Sequence, residues 1–157
     1  MMSNIPQIDE IDIKILRILQ ENSKITTREL AEKVNLSTTP VFERMKRLEA
    51  DGYIKKYVAV LDADKLGRSF LVFCSVKLKR MSKDVAAEFT ERIQQIPEVT
   101  ACYEVAGEFD YILLINAPSM NYYNDFIINV LGSMDSIGST LSTFSMKEIK
   151  QSNAIYI

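Results

Sequence analysis

The chain has 157 residues, 47% apolar and 25% charged, a composition and length that suit one soluble domain or two small ones. It contains no histidine, and its two cysteines, Cys74 and Cys102, lie too far apart for a CxxC unit, so we expect no zinc site, no cofactor and no enzyme. No apolar run approaches the roughly 18 residues of a membrane span and no secretory signal opens the chain, so we expect a cytoplasmic protein.

The formal net charge of −2 argues against a nucleic-acid partner, but the charges are unevenly distributed. Residues 1–60 carry ten basic and nine acidic side chains, whereas residues 61–157 carry nine and twelve. Five of the bases lie between Ser37 and Lys56. Such a local basic patch suits phosphate binding, because only the contact surface faces the DNA. A solvated helix surface is the alternative interpretation.

Two helices are predicted at the start of the chain. Isoleucines recur at spacings of three and four after Asp9, which can cap a helix that runs to about Glu21. The segment 26–29, Thr-Thr-Arg-Glu, has the form of a capping box and begins a second, short helix. Asn35 follows this helix and tolerates the left-handed conformation of a sharp turn.

A third helix is predicted to begin at the hydroxyl residues 37–39, because hydroxyls cap helices and Pro40 is tolerated in a first turn. Gly52 is the expected residue after its end. Two short helices joined by a tight turn, after a longer helix, form a helix-turn-helix pattern. Residues 53–61 then predict a β-strand that leaves this unit.

The third helix is the candidate DNA-recognition helix. Such a helix turns its N-terminal residues to base edges and its end amides and hydroxyls to phosphates. Threonine methyls and Val41 suit thymine methyl groups, and Arg44 or Arg47 suits guanine or phosphate. A three-helix bundle used for protein contacts is the alternative. The candidate DNA-contacting residues are Ser37, Thr38, Thr39, Pro40, Val41, Glu43, Arg44 and Arg47.

The rest of the chain predicts the order β-α-β-β-α-β. One helix follows Ser82 and stops at Pro97, and another starts after Pro118 and ends near Gly132. This order is typical of a ferredoxin-like sheet with both helices on one face, and the fold class is therefore α+β. The predicted strands are Phe70–Leu78, 99–105, Tyr111–Ala117 and 140–146, and both cysteines lie on strands as expected buried thiols.

The first of these strands is apolar on both alternating sets of side chains. A strand that is apolar on both faces packs against other elements on both, and the two helices cover only one face of the sheet. We therefore expect homodimerisation through the open face of the sheet, with Val99, Ala101, Tyr103 and Val105 pointing the same way from the second strand. A linker or C-terminal tail of the same chain is the alternative cover.

The tight connection at residues 107–110 is the candidate small-molecule site. Gly107 lets backbone amides approach a carboxylate, and Asp110 suits an ammonium group, so the pair matches the zwitterion of an α-amino acid. A hairpin in which a structural glycine and an aspartate satisfy the turn is the alternative.

Two separated groups of residues resemble one family, the leucine-responsive/asparagine-responsive (Lrp/AsnC, feast/famine) transcription regulators. The first group comprises residues 36–41, Arg44, residues 47–49 and residues 52–54, and the second comprises residues 106–111 and 150–153. The resemblance implies double-stranded DNA as a partner, a homodimer that assembles further into octameric rings of four dimers, and a small amino-acid effector bound between neighbouring dimers.

The resemblance also points to effector-binding positions. Glu104 departs from the leucine-type members, which carry an apolar residue there, and this puts leucine in doubt as the effector. Asn35 replaces the usual turn glycine, and Thr38 replaces a frequent proline. With the two loop residues Gly107 and Phe109, the implied ligand-binding residues are Glu104, Gly107, Phe109, Asp110, Met120, Thr143, Phe144 and Ser145.

The sequence thus predicts three parts. Residues 1–52 form a winged helix-turn-helix DNA-binding domain, residues 53–68 a linker strand and hinge, and residues 69–157 a ferredoxin-like domain for effector binding and oligomerisation. We expect a sequence-specific transcription regulator whose assembly and DNA binding respond to a bound amino acid. The alternative is an oligomeric amino-acid sensor that acts only through protein contacts and does not bind DNA.

Overall fold

The structure, a computed structural model, describes residues 8–157. The chain forms two compact units: residues up to Val60 with Lys150–Ile157, and Leu61–Ile149. The C-terminal tail, which the sequence-based division places in the second domain, packs with the first unit. Within residues 8–157, no helix is long and apolar enough to cross a membrane.

Three helices form the first unit: α1 (Glu10–Glu21), α2 (Thr27–Val34) and α3 (Thr38–Ala50). Both predicted caps are present as capping boxes. The Asp9 side chain accepts a hydrogen bond from a first-turn amide of α1, and the Thr26 side chain does the same for α2. These caps satisfy amides that have no partner within the helix, so local sequence fixes where each helix begins.

The turn between α2 and α3 depends on Asn35, whose φ of 56° and ψ of 45° lie in the left-handed region, as predicted. Gly52 has a φ of 79° directly after α3, which confirms the predicted stop. The three helices close around a shared apolar core. Its fully buried members are Ile15, Leu30, Val41 and Leu48.

Residues 53–61 form no strand, which corrects the predicted linker strand. Tyr53 and Ile54 pack against the core of the first unit, whereas residues 55–61 are exposed. A strand needs a neighbouring strand for its backbone hydrogen bonds, and all four strands of the described chain belong to the sheet of the second unit. Residues 53–61 therefore have the sequence pattern of a strand but no neighbouring strand to pair with in the described part of this chain.

The second unit has the predicted β-α-β-β-α-β order, and its four strands form an antiparallel sheet in the order β2-β3-β1-β4. The predicted limits of β1 and β3 are confirmed, whereas β2 and β4 are shifted by one to three residues. The elements are β1 (Phe70–Leu78), α4 (Lys83–Gln94), β2 (Val99–Glu104), β3 (Tyr111–Ala117), α5 (Met120–Asn129), a 3-10 turn (Leu131–Ser133) and β4 (Ile137–Phe144).

One face of this sheet carries the core. Side chains alternate along β1, so that Val72, Cys74 and Val76 are fully buried together with Phe89 of α4 and Tyr123 of α5. Both helices therefore contribute to one face, and the ferredoxin-like prediction is confirmed.

A register shift in β2 corrects the predicted facing of its side chains. Val99 lies opposite Ile115, a core residue, whereas Tyr103 lies opposite Ile112 on the other face. Directly opposed residues share a face, so Val99 and Tyr103 point to different sides of the sheet. An extra residue in one strand reverses the alternation, and the sequence pattern does not reveal it.

Candidate functional site

The recognition helix candidate, α3, has one buried and one exposed side. Val41 and Leu48 are fully buried in the core of the first unit. At about 100° per residue, Phe42, Glu43 and Lys46 lie within about 60° of Thr39 around the helix axis, and all four are exposed. We call these four residues the outer face of α3.

The first turn of α3 leaves its hydroxyl groups available. Ser37 is the N-cap residue, but its side chain makes no cap hydrogen bond, contrary to the predicted capping role. Ser37, Thr38 and Thr39 are exposed, and Pro40 is partly buried. Hydroxyls and first-turn amides at an exposed helix start are suited to a phosphate oxygen.

Val41 corrects the predicted set of DNA-contacting residues. Its side chain is fully buried in the core that also holds Ile15, Leu30 and Leu48. The Val41 side chain therefore packs α3 against the core and is not exposed for a contact with a thymine methyl group. Val41 follows Thr39 by two residues, which places it about 200° from Thr39 around the helix axis, on the inner side of α3.

Arg44 is held within the protein. One guanidinium nitrogen donates to the Asp12 carboxylate of α1 at 2.7 Å and to the Asp9 carboxylate at 2.7 Å. The Arg44 side chain is 24% exposed and that of Asp12 only 1%. Donating hydrogen bonds to the Asp12 and then the Asp9 carboxylate raises the pKa of the Arg44 guanidinium above its ordinary value.

Arg47 shares the same buried carboxylate but remains more accessible. Its guanidinium donates to the second oxygen of Asp12 at 2.5 Å, and its side chain is 50% exposed. Asp12 also accepts from the Asp9 backbone amide at 3.1 Å. The Asp9–Asp12–Arg44–Arg47 cluster therefore connects the start of α1 to the middle of α3, and Arg47 is the more exposed of its two arginines.

Phe42 and Lys46 are the outer-face residues absent from the sequence-based set. The Phe42 side chain is 50% exposed, and the Lys46 amino group lies 5.8 Å from the centroid of its ring. A helical wheel anchored on Val41, Met45 and Leu48 identifies both residues. Phe42 lies about 90° and Lys46 about 130° from the centre of this apolar stripe.

The candidate effector loop, residues 105–110, is closed by backbone hydrogen bonds. The Val105 amide donates to the Asp110 carbonyl at 2.9 Å, and the Asp110 amide donates to Val76 at 2.9 Å. Gly107 has a φ of 152°, which favours glycine. The Lys77 amino group donates to the Glu108 carbonyl at 2.8 Å.

The Asp110 carboxylate stabilises this loop, because one of its oxygens accepts from the Leu78 amide at 2.8 Å. The Asp110 side chain therefore has a structural partner, although this partner is an amide of β1 and not an amide of the turn itself. Phe109 and Asp110 are partly buried, whereas Glu104 and Gly107 are exposed.

The other candidate ligand residues lie elsewhere in the second unit. Thr143 is paired with Phe73, and the Ser145 amide donates to Leu71, near the start of β1. The loop instead meets Val76 and Leu78, near the end of β1. Three to seven residues of strand, about 10–23 Å, separate the two groups along the sheet.

Across the sheet the separation is equally clear. The effector loop connects β2 and β3, whereas Thr143 lies on β4, the opposite edge strand. Neighbouring strands lie about 4.8 Å apart, so β2 and β4 are separated by about 14 Å. One chain therefore does not bring the predicted ligand-binding residues together.

Phe144 and Met120 differ in their surroundings. The Phe144 ring packs against Phe70 at 5.7 Å and against Tyr123 at 5.6 Å between centroids, so it belongs partly to the core. Met120, at the first turn of α5, is 42% exposed. Of this second group, Met120, Thr143 and Phe144 are exposed, and Ser145 is partly buried.

The cysteines have different environments. Cys74 is buried, and desolvation raises the pKa of its thiol. Cys102 is exposed, contrary to the expectation for a strand residue, because β2 is an edge strand. Residues 8–157 contain no group of three or more Cys, Asp or Glu side chains that could hold a metal ion.

Two family models match the chain. The Lrp/AsnC ligand binding domain matches residues 71–155, and a winged helix-turn-helix DNA-binding domain matches residues 8–55. The Bkd operon transcriptional regulator of Pseudomonas aeruginosa is 37% identical over 143 residues, which cover 91% of this chain and 94% of that protein. The leucine-responsive regulatory protein of Escherichia coli is 37% identical over 150 residues, covering 96% and 92%.

Solved structures agree with these matches. A transcriptional regulator from Neisseria meningitidis, in complex with L-methionine, superposes with a TM-score of 0.91 at 35% identity and covers 96% of this chain and 97% of that one. An AsnC family regulator from Agrobacterium tumefaciens gives a TM-score of 0.90 at 36% identity, covering 95% and 97%. The chain therefore belongs to the Lrp/AsnC family of transcription regulators, with a winged helix-turn-helix DNA-binding domain followed by the family's ligand-binding domain.

Proposed function

We propose that this regulator binds double-stranded DNA as a homodimer through the outer face and first turn of α3, and that an α-amino acid bound between chains alters its assembly. The observation that carries the proposal is α3 itself. Its inner side chains are buried or ion-paired, whereas its first-turn hydroxyls and outer face are exposed.

The DNA-contacting residues of this proposal are those that remain accessible. Ser37 and Thr38 suit phosphate oxygens, and Thr39 and Glu43 suit base edges, since a glutamate accepts from the cytosine amino group. Arg47 keeps donors available beside its bond to Asp12. Arg44 instead stabilises the domain, because its guanidinium is already shared between two carboxylates.

The homodimer is supported by the open face of the sheet. Phe73 of β1, Tyr103 of β2 and Leu141 of β4 are 38%, 56% and 54% exposed on the side away from the helices. Apolar side chains in neighbouring positions of three strands form a continuous patch, which a second copy of the chain would cover. Assembly of four such dimers is the further step that the family implies.

The effector proposal rests on the separation of the two candidate groups. Asp110 precedes β3 and hydrogen-bonds near the end of β1, whereas Thr143 lies on the edge strand β4 opposite Phe73, about 10–17 Å away along the sheet. An amino acid that touches both therefore needs a second chain to supply one of them. Binding of this kind couples ligand occupancy to assembly, and assembly fixes how many DNA half-sites are held together. The methionine complex of the Neisseria relative supports a small α-amino acid as the ligand class.

DNA binding is tested with genomic fragments selected by the wild-type protein. Affinity should fall steeply as salt rises, since phosphate contacts release counterions. Arg47→Ala should weaken binding, whereas Lys83→Ala, the loss of an exposed cation at the start of α4, should not. Salt-independent or absent DNA affinity, with amino-acid binding retained, would favour the sensor that acts only through protein contacts.

A complementation experiment tests the shared effector site. Asp110→Asn and Thr143→Val proteins should each fail to change assembly when the amino acid that acts on the wild type is added. Mixed assemblies of the two variants should regain part of the response, because some interfaces then combine two intact groups. Light scattering measures the assembly state. Mixtures as unresponsive as the single variants, or a monomer at every concentration, would contradict the proposal.

A further inference from the structure

We propose that Phe42 is a specificity-determining residue that contacts the C5 methyl group of a thymine in the major groove. This inference rests on the proposed binding of DNA by α3 and adds to it a base preference and the residue responsible. It concerns a side chain that neither the predicted contact set nor the core of the first unit includes.

The position of Phe42 is the first argument. It is the fifth residue of α3, in the N-terminal half that a recognition helix turns toward base edges. Its side chain is 50% exposed, and it is absent from the apolar cluster that Val41, Met45 and Leu48 join. Phe42 is therefore an aromatic side chain on the outer face with no structural task in the described core.

The chemistry of the ring selects its target. A phenyl ring has no hydrogen-bonding group, and the C5 methyl of thymine is the apolar group that the major groove presents. Val41, the aliphatic side chain first expected to meet this methyl, is fully buried. Phe42 thus carries the largest exposed apolar surface that the first two turns of α3 offer to a base.

Lys46 supports the orientation of the ring. Its amino group lies 5.8 Å from the centroid of the Phe42 ring and donates to the Glu49 carboxylate at 3.1 Å. A cation placed over an aromatic ring is attracted to it, which restricts the motion of both side chains before DNA binds. A partly fixed ring loses less conformational entropy on contact with a base.

Deoxyuridine substitution tests the contact directly, because uracil lacks only the thymine methyl. A duplex selected from a random pool by the wild-type protein is prepared with each thymine replaced singly by deoxyuridine. At the contacted position, wild-type affinity should fall about fourfold, the effect of one buried methyl-sized group. Phe42→Ala should bind the thymine and deoxyuridine duplexes equally, and Phe42→Leu should retain part of the difference.

Two controls separate this effect from altered folding or charge. Leu66→Ala removes an exposed apolar side chain from the second unit and should leave the thymine preference unchanged. Arg47→Ala, which removes the cation proposed to face the DNA, should reduce the salt dependence by about one contact, whereas Phe42→Ala should leave the salt dependence unchanged. Thermal unfolding should show that Phe42→Ala folds like the wild type, since half of the side chain is exposed.

The outcomes distinguish the inference from the function on which it rests. A Phe42→Ala protein that keeps the wild-type preference for thymine, or a wild-type protein insensitive to every deoxyuridine replacement, overturns the inference alone. Failure of the wild-type protein to enrich any duplex overturns the proposed DNA binding, and the inference with it.

Discussion

Arg44→Met should weaken the packing of α3 against α1, because it removes one of the two arginine partners of the buried Asp12 carboxylate. The Asp12 side chain is 1% exposed and receives Arg44 at 2.7 Å, and Asp9 receives the same nitrogen. Breaking a buried ion pair from one side costs about 3–5 kcal/mol. Arg47 still pairs with Asp12 in the variant, so we expect a loss of about 2–3 kcal/mol in the stability of the first unit.

Hydrogen exchange of the full chain measures this loss locally. A cost of about 2–3 kcal/mol corresponds to about 30- to 150-fold faster exchange of core amides in α1 and α3. Amides of β1 in the second unit provide an internal reference. Arg28→Met is the matched control, because Arg28 and Glu32 form an exposed pair at 3.4 Å, and such pairs contribute about 0–1 kcal/mol.

The same variant separates the two roles considered for Arg44. A guanidinium that reads a base would, when removed, lower DNA affinity about tenfold or more and leave exchange in α1 and α3 at wild-type rates. If Arg44 acts through its ion pairs, Arg44→Met should show faster hydrogen exchange in α1 and α3 but should keep its DNA affinity below the unfolding temperature. Wild-type exchange rates in Arg44→Met would refute the reasoning from the buried cluster.

Three further predictions follow from local structure. Asn35→Val should destabilise the first unit by about 1–2 kcal/mol in denaturant unfolding, because a β-branched residue is strained at a φ of 56°, whereas Asn35→Gly should be nearly neutral. Hydrogen bonds from Thr26 lower the pKa of Glu29 below 4.5. The ionised Glu29 side chain therefore stabilises the domain at neutral pH, and this stabilisation is lost as the pH falls through the folded-state pKa of Glu29. The melting temperatures of the wild type and of Glu29→Gln should therefore converge in acid. Partial desolvation of the half-exposed Tyr57 ring and a hydrogen bond to Glu49 raise the pKa of Tyr57 to about 12. The stabilising effect of this contact is therefore complete below pH 10 and is lost between about pH 10 and 12, and Tyr57→Phe should remove one phenol ionising near pH 12 from an absorbance titration.

Features set by neighbouring residues are predictable from this sequence. The Thr26–Glu29 capping box, the left-handed Asn35 and the limits of β1 and β3 all depend on residues within a few positions of one another. Helix caps and strand alternation are local preferences, so the order of elements and the fold class follow from them.

The roles of the α3 side chains depend on distant partners and are less accessible to sequence reasoning. Arg44 and Arg47 have the composition of base-reading residues, yet their partner Asp12 lies 32 and 35 positions earlier in the chain. Periodicity places Asp12 on α1 but does not show that α1 and α3 meet there. A basic cluster therefore indicates α3 as the candidate recognition helix, but it does not show which of its basic side chains are free to face a partner.

A second limit of sequence reasoning concerns features that are not completed within one chain. Residues 53–61 have the pattern of a strand and the open sheet face has the pattern of a core, but neither finds its partner within one chain. The group around Asp110 and the group around Thr143 are likewise separated by more than the length of an amino acid. An effector that touches both groups must bind where chains meet, so its binding energy is available to stabilise or reject a particular assembly. The distance within one sheet thus makes coupling between ligand and assembly a geometric requirement of the proposed site.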